Sequence, residues 1–200
     1  MLAAMAGFPL ITQRSLVQIQ PVQPLSDGSA SAGSLAAMAT AAGRVIVTVE
    51  AKTDETFGPV VGRYLAADRK RKQVEPTFHS NVGKRVDALL AALFGPALQA
   101  HNCELRYQLV HATAASLIEA RRRDATLAIM VVHEFVQPAA VNPRRLERNA
   151  KDLEQFVHVL WPAGSAWKPG QLTGPISVRG GGLVPSDVPL LIGKVTTALP

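Results

Sequence analysis

The sequence has almost no cysteine, few aromatic residues and no long apolar run. Cys103 is the single cysteine among 200 residues, so neither an internal disulfide nor a multi-cysteine zinc site can form. The apolar stretches fall far short of the roughly 20 residues that a membrane span needs. The apolar segment Met1–Leu10 has no positive residues of the kind that begin a signal peptide. We therefore expect a cytoplasmic protein without a membrane partner.

Two common catalytic signatures are also missing. No Gly-x-Ser-x-Gly segment occurs, so the sequence offers no serine nucleophile of that kind. The glycines at 180–182 are not followed by a helix that carries lysine and serine or threonine, so they do not form a phosphate-binding loop.

The composition indicates one folded, basic domain. Hydrophobic residues make up 48% of the chain and charged residues 18%, which is enough apolar material for a core. A length of 200 residues suits one domain with a small appendage. Twenty-one Lys and Arg against fifteen Asp and Glu give a net charge of +6, which permits contact with a polyanion such as nucleic acid.

The hydrophobic periodicity predicts a mixed α/β (α+β) sandwich, in which a small mixed sheet is flanked by helices. Runs of β-branched and apolar residues predict strands at Leu35–Ala39, Arg44–Lys52, Leu127–Val132 and Leu190–Ile192. The first of these segments is rich in alanine, so a helix is the alternative there. Apolar residues at helical spacing predict helices at Val60–Ala67, Ser80–Phe94, Glu104–Arg123 and Pro143–Leu160. We expect the basic run 68–72 to interrupt the first helix. Residues 18–34 are loop-like. These patterns divide the chain into a loop-rich segment 1–33, a core 34–160 and a Gly/Pro-rich segment 161–200.

The end of the second predicted strand carries a carboxylate and an ammonium group on the same face. Period-two alternation places Glu50 beside Lys52 and turns Ala51 to the other side. Such a pair suits metal-assisted phosphate chemistry, in which the carboxylate binds the cation and the lysine stabilises developing charge. As a bare pattern, however, Glu-x-Lys at a strand end is usually a solvated ion pair.

Three blocks of sequence carry a family resemblance: VTVEAKTDETFGP at 47–59, LRYQLVHATAASLIEARR at 105–122 and AIMVVHEF at 128–135. In their order and composition they resemble an uncharacterised bacterial family that is similar to the PD-(D/E)xK nucleases, the superfamily with the restriction-endonuclease-like fold. The resemblance covers roughly residues 25–160.

The resemblance implies a metal-dependent phosphodiester hydrolase that acts on nucleic acid. Glu50 would bind Mg²⁺ or Mn²⁺, Lys52 would be the catalytic lysine, and Gln108 would be the polar residue beside the site. His111 would follow one helical turn later. From the helical pattern alone, Gln108 and His111 fit the solvated stripe of an amphipathic helix, which is the commoner role of polar residues at this spacing.

One acid that the resemblance implies is missing. An aspartate is expected on the first hairpin strand, where Ser34 and Leu35 stand. Asp27 is the nearest upstream substitute as a metal ligand, and Asp54 or Glu55 could substitute from downstream. Without a substitute, the protein would be a catalytically inactive nuclease-fold module for binding or assembly.

A run of four basic residues is the candidate nucleic-acid contact. Arg69, Lys70, Arg71 and Lys72 could neutralise phosphates, although a charge run is also typical of a solvated helix face. The sequence leaves open whether two chains pair, and whether DNA or RNA is bound.

Overall fold

A computed structural model describes residues 17–21, 33–40, 43–53, 55–75, 77–96, 100–139, 142–164 and 167–199. The strands are β1 Val17–Pro21, β2 Gly33–Thr40, β3 Gly43–Lys52, β4 Leu127–Val136, β5 Thr173–Ile176 and β6 Leu190–Ala198. The helices are α1 Val61–Val74, α2 Val82–Phe94, α3 Ala100–Cys103, α4 Tyr107–Arg122 and α5 Pro143–Leu160. The predicted mixed α/β class is therefore confirmed.

The described strands form one six-stranded mixed sheet in the order β1-β2-β3-β4-β6-β5. β1, β2 and β3 are antiparallel, whereas β4 runs parallel to β3 and β6 runs parallel to β4. The long connection from β3 to β4 contains α1–α4, as a parallel pair requires. Strands from the segments 1–33 and 161–200 thus belong to the same sheet as those of 34–160.

The described helices pack on one face of this sheet. On that face, Ile46, Met130 and Ile192 share a buried cluster with residues of the helices, and α4 crosses both β3 and β4. The opposite face has a smaller cluster, in which Val45 and Ile129 pack with other strand residues. Alternation along β3 therefore places Glu50 and Lys52 on the face that the helices cover.

Three predictions for local structure were wrong. Residues 17–21 form the edge strand β1 instead of a loop, and Pro21 is tolerated there because it ends an edge strand. The basic run does not interrupt α1, because Asp68–Lys72 and Arg71–Glu75 ion pairs span successive turns. The last strand is nine residues long instead of three, and it pairs with β4 along its length.

The remaining elements differ from the predictions mainly at their ends. α5 has the predicted limits, and the side chain of Asn142 caps it by accepting a hydrogen bond from the Arg144 N–H. α4 begins three residues later than expected, because Arg106 still forms a β-bridge with Val60. No helix in the described part of the chain is long and apolar enough to cross a membrane.

Candidate functional site

Lys52 lies at the centre of a group of oxygen atoms. Its Nζ donates hydrogen bonds to Oε1 of Gln108 at 2.9 Å and to Oε1 of Glu55 at 3.2 Å. Oε1 of Glu50 lies 3.0 Å from the same nitrogen, and both Glu50 and Lys52 are only 2–3% exposed. A lysine ammonium has three N–H donors, and here two of them have recorded acceptors while Glu50 supplies the counter-charge. The ammonium group is therefore held by partners within the protein.

The site forms where the end of β3 meets the start of α4. Thr48 contacts Ser116 through their hydroxyl groups, which fixes α4 against β3 two residues before Glu50. The Tyr107 N–H donates to the Pro59 carbonyl, so the first turn of α4 lies beside the chain that leaves β3. This arrangement brings Gln108 to Lys52.

The loop that carries Glu55 is held by two buried polar side chains. Nδ2 of Asn149 donates to the Glu55 carbonyl at 2.9 Å. Arg106 donates to the Gly58 carbonyl at 2.7 Å and pairs with Asp152 at 2.8 Å. Two contacts to α5 therefore position this loop, although the Glu55 carboxylate itself is 62% exposed.

A second buried ion pair lies beside the first. Nζ of Lys194 is 2.8 Å from Oε2 of Glu134, and both side chains are less than one-tenth exposed. The strand register places Glu134 directly across from Lys52, and Lys194 directly across from Val132. Two carboxylates and two ammonium groups are thus buried near the carboxyl ends of three parallel strands.

His111 lies on α4 but faces a different set of side chains. Its ring is 5.8 Å from the ring of Tyr107. Burial lowers the pKa of His111 below its ordinary value of 6.5, and the nearby Arg85 guanidinium lowers this pKa further. In the described part of the chain, no hydrogen bond joins His111 to Lys52.

The basic run 69–72 forms the exposed second half of α1. Lys72 pairs with Asp68 at 2.8 Å, and its hydrogen bond is the main cause that lowers the pKa of Asp68. Arg71 pairs with Glu75 and lies 3.9 Å from the centroid of the Phe78 ring. Within this run, Arg69 and Lys70 are the two residues for which the described part of the chain provides neither an acidic partner nor an aromatic ring.

The described residues do not fit a resident divalent cation. The oxygens around Lys52 are the right kind of ligand, but they face its ammonium group at 2.9–3.2 Å, and only two of the three side chains are carboxylates. Gly33 lies across from Glu50 on β2 and has no side chain to offer. Within the described ranges, no three Asp, Glu, His or Cys side chains come together as a metal site. Asp27 and Asp54 lie outside those ranges.

The sequence did not point to Glu134, to Lys194 or to the two arginines at the start of α5. Glu134 and Lys194 lie beyond the predicted ends of their strands, and a longer alternating pattern would have turned both toward the helices. Arg144 and Arg145 stand in the first turn of α5, which has no acidic residue. Cations are unfavourable at a helix N-terminus, so the electrostatics of the helix end do not explain why these two arginines are there.

Residues 20–199 match a family described as a domain of unknown function, DUF6946. The chain belongs to this family. Because the match spans nearly the whole chain, the DUF6946 domain includes the β3–α4 site, the second ion pair and α5. No curated protein and no solved structure matches the chain.

Proposed function

We propose that this protein is a PD-(D/E)xK nuclease-like protein that binds nucleic acid without cutting it. The observation that carries the proposal is the internal pairing of the buried ammonium group of Lys52. A catalytic lysine must turn at least one N–H toward a phosphate oxygen or toward the attacking water. Here the ammonium group donates to Gln108 and Glu55 and pairs with Glu50, and the side chain is 2% exposed.

The burial of the Glu50–Lys52 pair supports a structural role. Removing one member of a buried pair leaves an uncompensated charge, and this typically costs about 3–5 kcal/mol. Lys52 also joins the end of β3 to α4 through its hydrogen bond to Gln108, and to the following loop through its hydrogen bond to Glu55.

Exposed cations on two helices support binding to a polyanion. Arg69 and Lys70 project from α1, and Arg144 and Arg148 project from the first two turns of α5. Each phosphate that such a side chain contacts releases condensed counterions, which favours binding at low salt. The net charge of +6 acts in the same direction.

Metal-dependent hydrolysis of a phosphodiester is the second candidate. The observation that favours it is the contact of the Glu50–Lys52 pair with Gln108, which lies 56 positions after Lys52 and which the nuclease resemblance assigns to the same site. It requires a further acidic ligand, for which Asp27 and Asp54 are the candidates.

The two candidates are distinguished by measuring binding and cleavage on the same labelled DNA and RNA. We expect saturable binding, with an association constant whose logarithm falls linearly with the logarithm of the salt concentration. We expect no cleavage in Mg²⁺ or Mn²⁺. A variant with Arg69 and Lys70 replaced by alanine should bind more weakly and with a shallower salt dependence. A matched variant with alanine at Arg71 and Lys72 should lose less affinity, because these side chains already have internal partners.

Two results would contradict the proposal in different ways. Cleavage that requires metal and disappears in Lys52→Ala would establish hydrolysis instead. Absence of any salt-dependent binding to DNA or RNA would remove nucleic acid as the partner.

A further inference from the structure

One face of the sheet is not covered by any helix in the described part of the chain. Ile46, Met130 and Ile192 turn to the helix side, so alternation turns every second residue of 45–51, 127–135 and 191–197 to the other face. These residues belong to β3, β4 and β6, which run parallel, and parallel strands are almost always covered on both faces. This second face, here called the open face, therefore lacks, among the described residues, a layer that parallel strands normally have.

The open face carries no formal charge on these three strands. None of the outward positions of β3, β4 and β6 holds Asp, Glu, Lys or Arg, although such residues make up 18% of the chain. The one titratable side chain among these positions is His133, whose Nε2 shares a hydrogen bond of 2.9 Å with the Thr197 hydroxyl group. A partner for this face must therefore be apolar and uncharged, because a charged group would be buried there without a counter-charge.

The apolar surface of the open face is accessible toward the carboxyl ends of the strands. Three side chains near the amino ends are at most 9% exposed, namely Val45, Ile129 and Leu191. Toward the other end, Val195 is 46% exposed, and Leu172, which lies directly over Gly193, is 48% exposed. Two of the four large apolar side chains that are exposed in the described part of the chain thus lie together on this face.

We propose that the open face binds a second copy of the same chain, sheet against sheet. A two-fold contact uses the same patch on both partners, so an uncharged apolar face is matched in charge and polarity by its own copy. Two sheets pack in this way about 10 Å apart, with their strands within about 30° of one another. Every described helix that packs on the sheet then lies on the outside of the pair.

The charge of the chain favours this arrangement over a contact through the helices. A net charge of +6 opposes association on the helix side, where Arg69, Lys70, Arg144 and Arg148 are exposed. In the sheet-to-sheet pair, both sheets stand between the two sets of cations. The sets are then farther apart than the screening length of roughly 8 Å at physiological salt, so repulsion between the two copies is small.

The size of the open face predicts a weak dimer. Neighbouring strands lie about 4.8 Å apart and alternate residues about 6.6 Å apart, so the outward positions of β3, β4 and β6 cover roughly 400 Å². β2 extends the sheet beyond β3. A stable dimer buries about 800 Å² on each partner, so we expect a dissociation constant on the order of 10 µM.

Sedimentation velocity of the full-length protein tests the inference, in about 0.5 M salt so that nucleic acid is released. We expect a monomer at about 1 µM and a reversible dimer at about 200 µM. A monomer throughout would overturn the inference, whether hydroxyl-radical labelling then finds Phe135 accessible or covered by other residues of the same chain. A dimer that forms only at low salt would also overturn it, because salt screens charged contacts and does not weaken apolar ones.

A matched pair of variants then tests the location of the contact. Val195→Glu places a charge on the open face and should raise the dissociation constant at least about tenfold, because the carboxylate loses water without gaining a counter-charge. Val74→Glu makes the same change at a side chain that is 77% exposed on α1, and it should leave the dissociation constant unchanged. Val195→Thr keeps a β-branched side chain in the strand and should act in the same direction as Val195→Glu but more weakly, which provides a measurement if the glutamate variant does not fold. Equal dissociation constants for the position-195 variants and Val74→Glu in folded protein would overturn the assignment to this face.

Dimerisation and the proposed binding of nucleic acid use opposite sides of the sheet, so the two are tested independently. A dimer that binds neither DNA nor RNA would overturn only the proposed function. A monomer that binds nucleic acid with the expected salt dependence would overturn only the dimer. Where both occur, the dimer presents two basic helix layers in opposite directions and can hold two segments of nucleic acid.

Discussion

Oε1 of Gln108 accepts a 2.9 Å hydrogen bond from Nζ of Lys52, a residue 56 positions earlier in the chain. This contact joins the first turn of α4 to the last residue of β3. Because Lys52 is buried, the loss of any of its oxygen partners leaves a charged donor without compensation. The stability of the protein therefore depends on this site.

The first prediction concerns this hydrogen bond. Gln108→Leu should lower the free energy of unfolding by about 1–3 kcal/mol, because one donor of a buried ammonium group loses its acceptor. Gln108→Glu restores an acceptor and should recover much of the loss. Urea denaturation measures both, with Gln155→Leu on the exposed face of α5 as the control. Equal stability of Gln108→Leu and wild type would show that the contact contributes nothing.

The second prediction concerns the ion pair of Glu134 and Lys194. Lys194→Met should cost about 3–5 kcal/mol, because Glu134 then remains buried without its counter-charge. The double variant Lys194→Met with Glu134→Leu should be more stable than Lys194→Met alone, because it buries no charge. A double-mutant cycle by thermal or urea unfolding gives the coupling. Additive losses would argue against a direct interaction.

The third prediction concerns pH. The pKa of His111 is lowered in the folded protein, mainly by burial and further by Arg85, while the unfolded chain keeps a value near 6.5. As the pH falls through 6.5, the unfolded chain binds a proton that the folded protein does not bind. The free energy of unfolding therefore decreases until the lower folded pKa is passed.

This dependence is measured by urea denaturation at about pH 7.5 and about pH 5.5. His111→Leu should lose less stability between the two than wild type, because leucine does not titrate. The control His158→Gln removes an exposed histidine and should keep the wild-type loss. An unchanged pH dependence in His111→Leu would assign the effect to other groups.

The fourth prediction gives two effects of opposite sign at one position. Arg144→Glu should stabilise α5 by about 0.3–1 kcal/mol, because an acidic residue in the first turn is favoured by the helix dipole. The same change should weaken binding to nucleic acid, because it replaces an exposed cation at the start of α5 with an anion. Thermal unfolding and a salt-dependent binding assay measure the two effects. Stronger or unchanged binding would remove this turn of α5 from the interface.

The sequence predicted most of the elements that build the site. The β-branched run around Val45–Val49 and the apolar spacing of 105–118 were sufficient for β3 and α4. Alternation along β3 also placed Glu50 and Lys52 on one face, and the nuclease resemblance pointed to Gln108. The weaker predictions were those in which pairing decides the structure: β1 exists because β2 provides a partner, and β6 extends to Ala198 because β4 continues beside it.

The second ion pair and the burial of Asn149 could not be predicted in the same way. Glu134 and Lys194 come together only through the parallel register of β4 and β6, which depends on the whole sheet. Asn149 lies on a strongly amphipathic helix, and its position at the edge of the apolar face gave no sign that it would be buried. Register and helix rotation are tertiary properties, and local periodicity does not determine them.

The central claim is that the buried Lys52 site, in which Glu50 pairs with the lysine, does not hold a divalent cation. Calorimetric titration of Mn²⁺ and Mg²⁺ into the full-length protein, beside Glu50→Gln, tests it most directly. The account predicts no saturable binding that depends on Glu50. Saturable binding by the wild type that is lost in Glu50→Gln would contradict the account, and it would make metal-dependent hydrolysis the function to pursue.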